Sequence, residues 1–265
     1  VVLRRELLEG ARHPAALEPL IALAERVLRT WEPAWTPFLP PELREEAEAR
    51  LAALSELRLR GEGGHPGAER QRLLLLRVET APDPADREEP PEPGLRGLEI
   101  AGNFLFDSAE AEEFRTALLA MGAAEGEVGD LWLRSDRGAR AIVTAPLAAA
   151  LDGREGQVRS VPVRCEARPI DELQPPAPRT ARRLSSVEAS RRLDAVASAG
   201  FGLSRSRMAD LIRQGAVRID WQSVSSPSRE LRVGERVQLR DRGELEILAI
   251  EPTKRDRLRI AMERR

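Results

Sequence analysis

Residues 185–240 read SSVEASRRLDAVASAGFGLSRSRMADLIRQGAVRIDWQSVSSPSRELRVGERVQLR. The spacing predicts a first helix with Ala189, Leu193, Val196 and Ala197 on one face, Arg191 opposite and Arg192 at its border. Gly200 and Gly202 interrupt it. Ser204 is a good N-cap for a second helix that buries Met208, Leu211 and Ile212. Ser206, Asp210 and Arg213 fall on the opposite face, Arg205 and Arg207 flank the apolar stripe, and Gly215 closes the helix. AVRI begins a strand, SVSSPS turns, and GERVQLR begins another. Two short helices and a small hairpin make a compact wedge. Its second helix starts beside Arg205 and Arg207, so free N–H groups and guanidinium groups meet at one place suited to phosphate. Few acids interleave with Arg192, Arg205, Arg207, Arg213 and Arg218.

Charge is sorted along the chain. The 265 residues hold 42 basic and 44 acidic side chains, a net of −2. Residues 179–265 hold 20 and 12 of these and residues 1–178 hold 22 and 32, so +8 stands against −10. This segregation implies a basic module with an anionic partner, carried by an acidic remainder. Only Lys254 of the basic residues is lysine. Arginine suits phosphate, although a bias that covers acidic and basic regions alike is more simply one of codon composition.

Outward from the wedge, two proline-rich linkers divide the chain. Residues 1–79 read as mainly helical, with Leu17, Leu20, Ile21, Ala24, Val27 and Leu28 at helical spacing. A restart at Pro40-Pro41 precedes Leu43, Ala47, Leu51, Leu54 and Leu57. ERQRLLLLRVE is a strand candidate ending near Glu79. Residues 80–96 contain APDPADREEPPEP, whose composition reads as an acidic linker. Residues 97–173 give the order strand–helix–strand–strand–helix–strand. LEIAGNFLF, VGDLWLR, RAIVTA and VRSVPVRCE are the strands; Asp107 and Glu110 have capping-box-like spacing, and Pro146 opens the second helix. That order predicts a ferredoxin-like, RNP-like split βαβ domain. RAIVTA carries no aromatic, so the domain reads as a scaffold first and an RNA platform second. The basic module spans 179–250, and 251–265 reads as a C-terminal tail. The fold class expected is α+β.

Composition excludes several chemistries. One cysteine, Cys165, allows no intramolecular disulfide framework and no thiolate zinc site. His13 and His65 are the only imidazoles, and there is no tyrosine. Glu62 and its glycine neighbours in GEGG lack a following G-K-S/T, and no G-x-G-x-x-G is present. His65 beside Pro66 reads as a loop residue, Cys165 as a buried small hydrophobe, and Asp130 as a strand-edge residue that is the one carboxylate to test as an acid. No apolar stretch reaches a membrane span. The opening VVLRRELLEGARHP is unlike a signal peptide, so a cytoplasmic protein is expected.

RLDAVASAG, FGLSRSRMADLIRQGAVRIDWQSV and SSPSRELRVGERVQL together resemble the RNA-binding domain of ribosomal small-subunit protein S-four, the αL motif, over about 55 residues. The matching features are the RLD opening, the SRSR helix start, the LIRQGAV ending and the GERV strand after a Pro-Ser turn. Where that pattern has V-N-G this chain has Asp220 and Trp221; Asp keeps a turn former there and adds a negative charge. GGHPGAERQR, LEIAGNFLFD, VGDLWLR, QVRSVPVR and IDWQ extend the resemblance upstream to the YlmH family. The cyanobacterial and plastid members of that family are labelled photosystem-II-associated S-four domain proteins.

The resemblance implies a non-catalytic protein; composition and motifs point to no cofactor, metal or small-molecule substrate, and the self-contained elements read as a monomer. It implies binding to ribosomal or transfer RNA, with the large ribosomal subunit and ribosome-associated quality control as partner and process. In a plant the setting would be the plastid stroma. The RNA contacts it points to are Arg191, Arg192, Ser204, Arg205, Ser206, Arg207, Arg213, Arg218, Trp221, Gln222 and Arg229. The alternatives are an assembly factor that docks a protein through the acidic and central modules, and an RNA-modifying enzyme.

Overall fold

The computed structural model describes residues 6–78, 91–177, 180–239 and 242–265. These fall into two compact units, one up to Pro178 and one from Arg179. Residues 79–90, most of the expected acidic linker, lie outside the described residues.

The first unit opens with helix α1 (Pro14–Thr30) and helix α2 (Pro41–Leu51). They pack over a sheet of order β1-β3-β2, built from Ala34–Trp35, Arg72–Arg77 and Leu57–Glu62. Leu17, Leu20, Ile21, Ala24 and Val27 of α1 bury as a stripe against Leu73 and Leu75. The helical expectation fails at Leu57. It starts strand β2, because Leu57 and Leu59 alternate with Arg58 and Arg60, a period of two. Helix α1 has no cap of its own. Glu46, 5 % exposed on α2, accepts the N–H groups of Arg12 (2.6 Å) and His13 (3.1 Å) and the His13 ring (2.8 Å). Burial pushes that carboxyl up, but these hydrogen bonds and the charges beside it outweigh burial and hold it below its ordinary value.

The rest of this unit keeps the expected split βαβ order. VRSVPVRCE, expected as one strand, turns at Arg159-Ser160 into a hairpin of two, and the strand expected over LEIAGNFLF spans Leu95–Ala101. Strands β4 (Leu95–Ala101), β5 (Val128–Leu133), β6 (Gly138–Thr144), β7 (Glu155–Val158) and β8 (Val161–Arg168) form an antiparallel sheet of order β5-β6-β4-β8-β7. Helices α3 (Ala111–Ala120) and α4 (Ala145–Leu151) cover one face, burying Phe114, Leu118, Leu147 and Leu151 on Leu98, Ile100, Ala141 and Val163. The α3 capping box belongs to Glu110 and Glu113, not to Asp107. Asp107 accepts instead from the Ser160 N–H and ion-pairs with Arg159 at 2.8 Å. The other sheet face carries ion pairs, Glu99 with Arg134 and Glu166 with Arg168. No aromatic stands on β4 or β6, and the one on β5, Trp132, is level with Arg140 and Glu99 on this face and packs against the His65 ring.

A third apolar cluster, Phe38, Leu95, Ile142 and Leu173, joins the two parts of this unit. A Cβ on Gly129 would lie 2.7 Å from the Phe38 ring, so only glycine permits that approach. Beside it Asp130 accepts the N–H groups of Glu69 and Arg70, both at 2.8 Å, and bonds to the His65 ring at 3.1 Å. The His65 side chain is 6 % exposed and packs edge-on against Trp132. His65 is therefore more than a loop residue and Asp130 more than a strand-edge one. Together they latch the 65–70 segment onto β5.

The bond to Asp130 outweighs burial and raises the His65 pKa. A raised folded-state value means the stabilisation is full below the unfolded pKa of about 6.5 and is lost as pH rises through the folded value. Thermal unfolding of the full chain, followed from about pH 5.5 to about pH 8.5, is expected to show that loss. His65→Gln should remove this component of the pH dependence. Asp130→Ala leaves the part-buried Arg70 N–H and the His65 ring without their acceptor and should cost about 1–3 kcal/mol in urea unfolding.

The second unit is an antiparallel sheet of order β11-β10-β12-β13-β14-β9 with two helices on it. Its strands are β9 (Arg182–Glu188), β10 (Val217–Ile219), β11 (Gln222–Ser223), β12 (Arg236–Leu239), β13 (Gly243–Pro252) and β14 (Leu258–Arg264). The stretch expected as a tail supplies β14, which pairs with β13 and β9 and buries Ile260 and Met262. The first helix also starts later than the spacing suggested. Residues 185–188 belong to β9, and Ala189 lies before helix α5 (Leu193–Phe201). Pairing with β14 overrides local helical periodicity there.

Candidate nucleic-acid interface

Helix α5 and helix α6 (Arg205–Arg213) meet at a tight corner. Gly202 ends α5 in the left-handed region (φ 67°), and Ser204 caps α6 by accepting the Arg207 N–H at 3.3 Å. Leu193, Val196, Ala197 and Phe201 of α5 and Met208 and Ile212 of α6 bury against Val217, Leu245 and Ile260. A Cβ on Gly200 would lie 2.3 Å from Leu245, so α5 sits on the sheet at a distance only glycine allows. The apolar stripe thus faces the sheet and leaves Arg205, Ser206 and Arg207 exposed on the first turn of α6.

The first N–H groups of α5 are already used. Leu193 N–H donates to the Arg229 carbonyl at 2.8 Å and Asp194 N–H to the Pro227 carbonyl at 3.0 Å. The α6 start differs, since its cap uses only the Arg207 N–H.

The Asp194 side chain, 7 % exposed, organises the arginines. Arg192 binds both its oxygens, at 3.1 and 3.0 Å, and Arg205 reaches it at 3.2 Å. Burial raises the Asp194 pKa, but the hydrogen bonds and charges of Arg192 and Arg205 outweigh it and hold the carboxyl low. Each guanidinium has five N–H donors, so both keep donors free to face outward. Arg207 is exposed and has no ion pair among the described residues.

The other expected contacts divide. Arg213 pairs with Asp210 at 2.9 Å and Arg191 with Glu230 at 2.6 Å, all on the surface. Arg218 and Gln222 are exposed on β10 and β11. Arg229 is held by Glu235 through two bonds of 2.7 Å while Glu235 is 14 % exposed. That pair closes the 226–235 loop under α5.

Asp220 and Trp221 both have positive φ, 47° and 67°, and form the two-residue turn between β10 and β11. Asp220 accepts the Arg236 N–H at 3.1 Å, so its carboxylate is occupied by the turn. Trp221 donates its backbone N–H to Gln238 and stands half-buried at the turn. The left-handed positions require Asn-Gly chemistry, which is the signal that a turn lies here; a Trp in the second of them is the departure.

Elsewhere the chemistry is closed. Burial pushes the Cys165 thiol up to about 11, which leaves it protonated and unreactive. No group of metal-ligating side chains occurs among the described residues, and none of their helices is long and apolar enough to cross a membrane. The missed signal lay in Glu235 and Asp194. An acid three residues after Arg232, or two after Arg192, reads on sequence as a charge alternation rather than as a buried partner.

Residues 13–80 match the family model of the YlmH N-terminal domain, and residues 191–237 match that of the S4 domain. Over 230 residues the chain is 27 % identical to the ribosome-associated protein quality control protein P2 of Bacillus subtilis strain 168, with 86 % of each chain covered. A solved structure described as cell division protein ylmH from Streptococcus pneumoniae is 18 % identical with a TM-score of 0.46, covering 62 % of this chain and 94 % of that one.

Arg229→Gln leaves Glu235 part-buried without its cation and should destabilise the C-terminal unit by about 2–3 kcal/mol. Urea unfolding of the full chain with Trp31, Trp35 and Trp132 replaced by Phe, which leaves Trp221 as the fluorophore, checks this.

Proposed function

For a chain of the YlmH type that ends in an S4 domain, we propose a ribosome-associated role in which the C-terminal unit grips structured ribosomal or transfer RNA. The observation that carries this reading is the α6 start, where Arg205 and Arg207 stand exposed beside a helix N-terminus and Arg192 is fixed in place by Asp194. Guanidinium groups held in a set orientation can take phosphate oxygens in pairs. Such contacts supply affinity without reading bases, and the shape of the RNA supplies discrimination. Trp221 at the nearby turn offers an indole for stacking on an unpaired base. The reaction class is binding, not catalysis. The B. subtilis relative, described as a ribosome-associated quality control protein, supports the ribosome as the setting. The large subunit is the partner this reading favours.

A second reading has one observation in its favour. Leu105 and Phe106, 61 % and 94 % exposed, project from the loop after β4 while Phe104 anchors that loop in the core. A fixed apolar knob beside Asp107 and Glu110 suits a protein surface better than a phosphate backbone.

The test is equilibrium binding of the full chain to a labelled ribosomal RNA stem-loop across a salt series. With about five phosphates neutralised, the log–log slope should lie near −3.5 to −4.5. Arg205→Ala with Arg207→Ala should weaken binding and flatten the slope by about 1.5–2. Unchanged binding would overturn the RNA reading. A protein partner retained after nuclease treatment and lost with Phe106→Ser would support the second one.

A further inference from the structure

The S4 match ends at residue 237, but the sheet runs on to Arg264 through the longest hairpin of the unit. The turn of that hairpin is a second concentration of positive charge. Lys254, Arg255, Arg257 and Arg259 are all exposed, against Glu251 and Asp256. Unlike Arg191, Arg192, Arg205, Arg213 and Arg229, none of these four has an ion pair among the described residues.

The turn is rigid. Thr253 N–H donates to the Arg257 carbonyl at 2.7 Å, and Arg257 N–H donates back to the Thr253 hydroxyl at 3.3 Å. The residues between them, Lys254, Arg255 and Asp256, form a three-residue loop with Asp256 in the left-handed region at φ 51°. Asp is among the few non-glycine residues that accept this backbone. The cations are therefore presented from a defined turn.

The register of β14 says where that turn lies. Leu258 pairs with Glu188, the last residue of β9, and Arg259 with Val187. Arg192 comes four positions after Glu188, at most about 14 Å of chain. The turn thus stands at the end of the sheet where the chain hands over to Arg192 and Asp194.

We infer that the β13–β14 turn is a second phosphate-contact site, which takes the backbone of the same RNA a few nucleotides from the α6 contacts. This rests on the RNA-binding reading above and extends its footprint beyond the matched S4 segment. The turn carries no aromatic or long aliphatic side chain to insert into a bilayer, so an anionic lipid surface is the weaker fit.

The experiment compares the full-chain wild type with the Lys254→Gln, Arg255→Gln, Arg257→Gln, Arg259→Gln variant on two labelled RNA stems. One has about 16 base pairs, and the other is about half that length. On the long stem the variant should bind at least about tenfold more weakly, with a salt slope shallower by about 2–3. On the short stem, which the α6 contacts alone cover, its affinity should change little. Glu251→Gln removes an opposing charge and should tighten long-stem binding about two- to threefold, a gain that misfolding cannot mimic. Unchanged long-stem binding in the quadruple variant, with loss in the Arg205→Ala, Arg207→Ala variant, overturns the turn site and leaves the α6 reading standing. Absence of RNA binding by the wild type overturns both. A variant that keeps RNA binding but loses affinity for phosphatidylserine vesicles overturns the inference in favour of a lipid contact.

Discussion

The C-terminal unit is organised by one buried carboxylate. Asp194 opens α5 with almost no solvent contact, and a charge in that position is tolerable only when cations and hydrogen bonds surround it. Arg192 supplies a bidentate pair and Arg205 crosses from the next helix to supply another contact. The ion triad ties the two helices together at the corner where Ser204 caps α6. It also removes much of the rotameric freedom of two long side chains before any ligand arrives, so less ordering remains to be done on binding. Two arginines and one aspartate leave a net positive charge with oriented donors. Lysine could not do this, because an ammonium has no planar fork to share between a carboxylate and a second anion. The arginine bias of the chain is compositional, yet at this corner it has a mechanical use.

How much of this was legible follows from which forces were local. The two-helix wedge could be read because Leu193, Val196 and Ala197, and Met208 and Ile212, repeat at helical spacing and face one sheet. The split βαβ domain could be read because its strands and helices alternate in an order that few topologies satisfy. Long-range pairing was not legible. Residues 185–188 and 258–264 become strands because they pair with each other, and neither segment announces a partner more than seventy residues away. The same holds for Glu46, Asp194 and Glu235, acids whose role is set by what is folded over them. The latch of Asp130 on His65 joins residues 65 apart and gives no periodic signal.

The acidic first unit uses its charge differently. On the open face of its central sheet, Glu99, Glu166, Arg134 and Arg168 satisfy one another across strands. Exposed pairs of this kind contribute little to stability. Arg140 of β6, level with Glu99, donates to the Leu173 carbonyl at 2.6 Å rather than to an acid, and Trp132 of β5 stands next to it in the register.

Within that unit, turn chemistry decides where the charge points. Two hairpins end in left-handed residues that are not glycine, Trp221 in one and Asp256 in the other. Each such residue costs roughly 1–2 kcal/mol relative to glycine if nothing local compensates. At Asp256 the residue type itself eases the conformation. At Trp221 it does not, since an indole gains nothing from that backbone. The half-buried ring must offset the cost by packing, by contact with a ligand, or by both, and a residue held in an unfavourable conformation on a surface is where function is sought first. Backbone strain at Trp221 and unpaired charge at the 253–257 turn are separate features of the same sheet. They belong to different parts of the strand order, Trp221 beside the edge strand β11 and the 253–257 turn between β13 and β14.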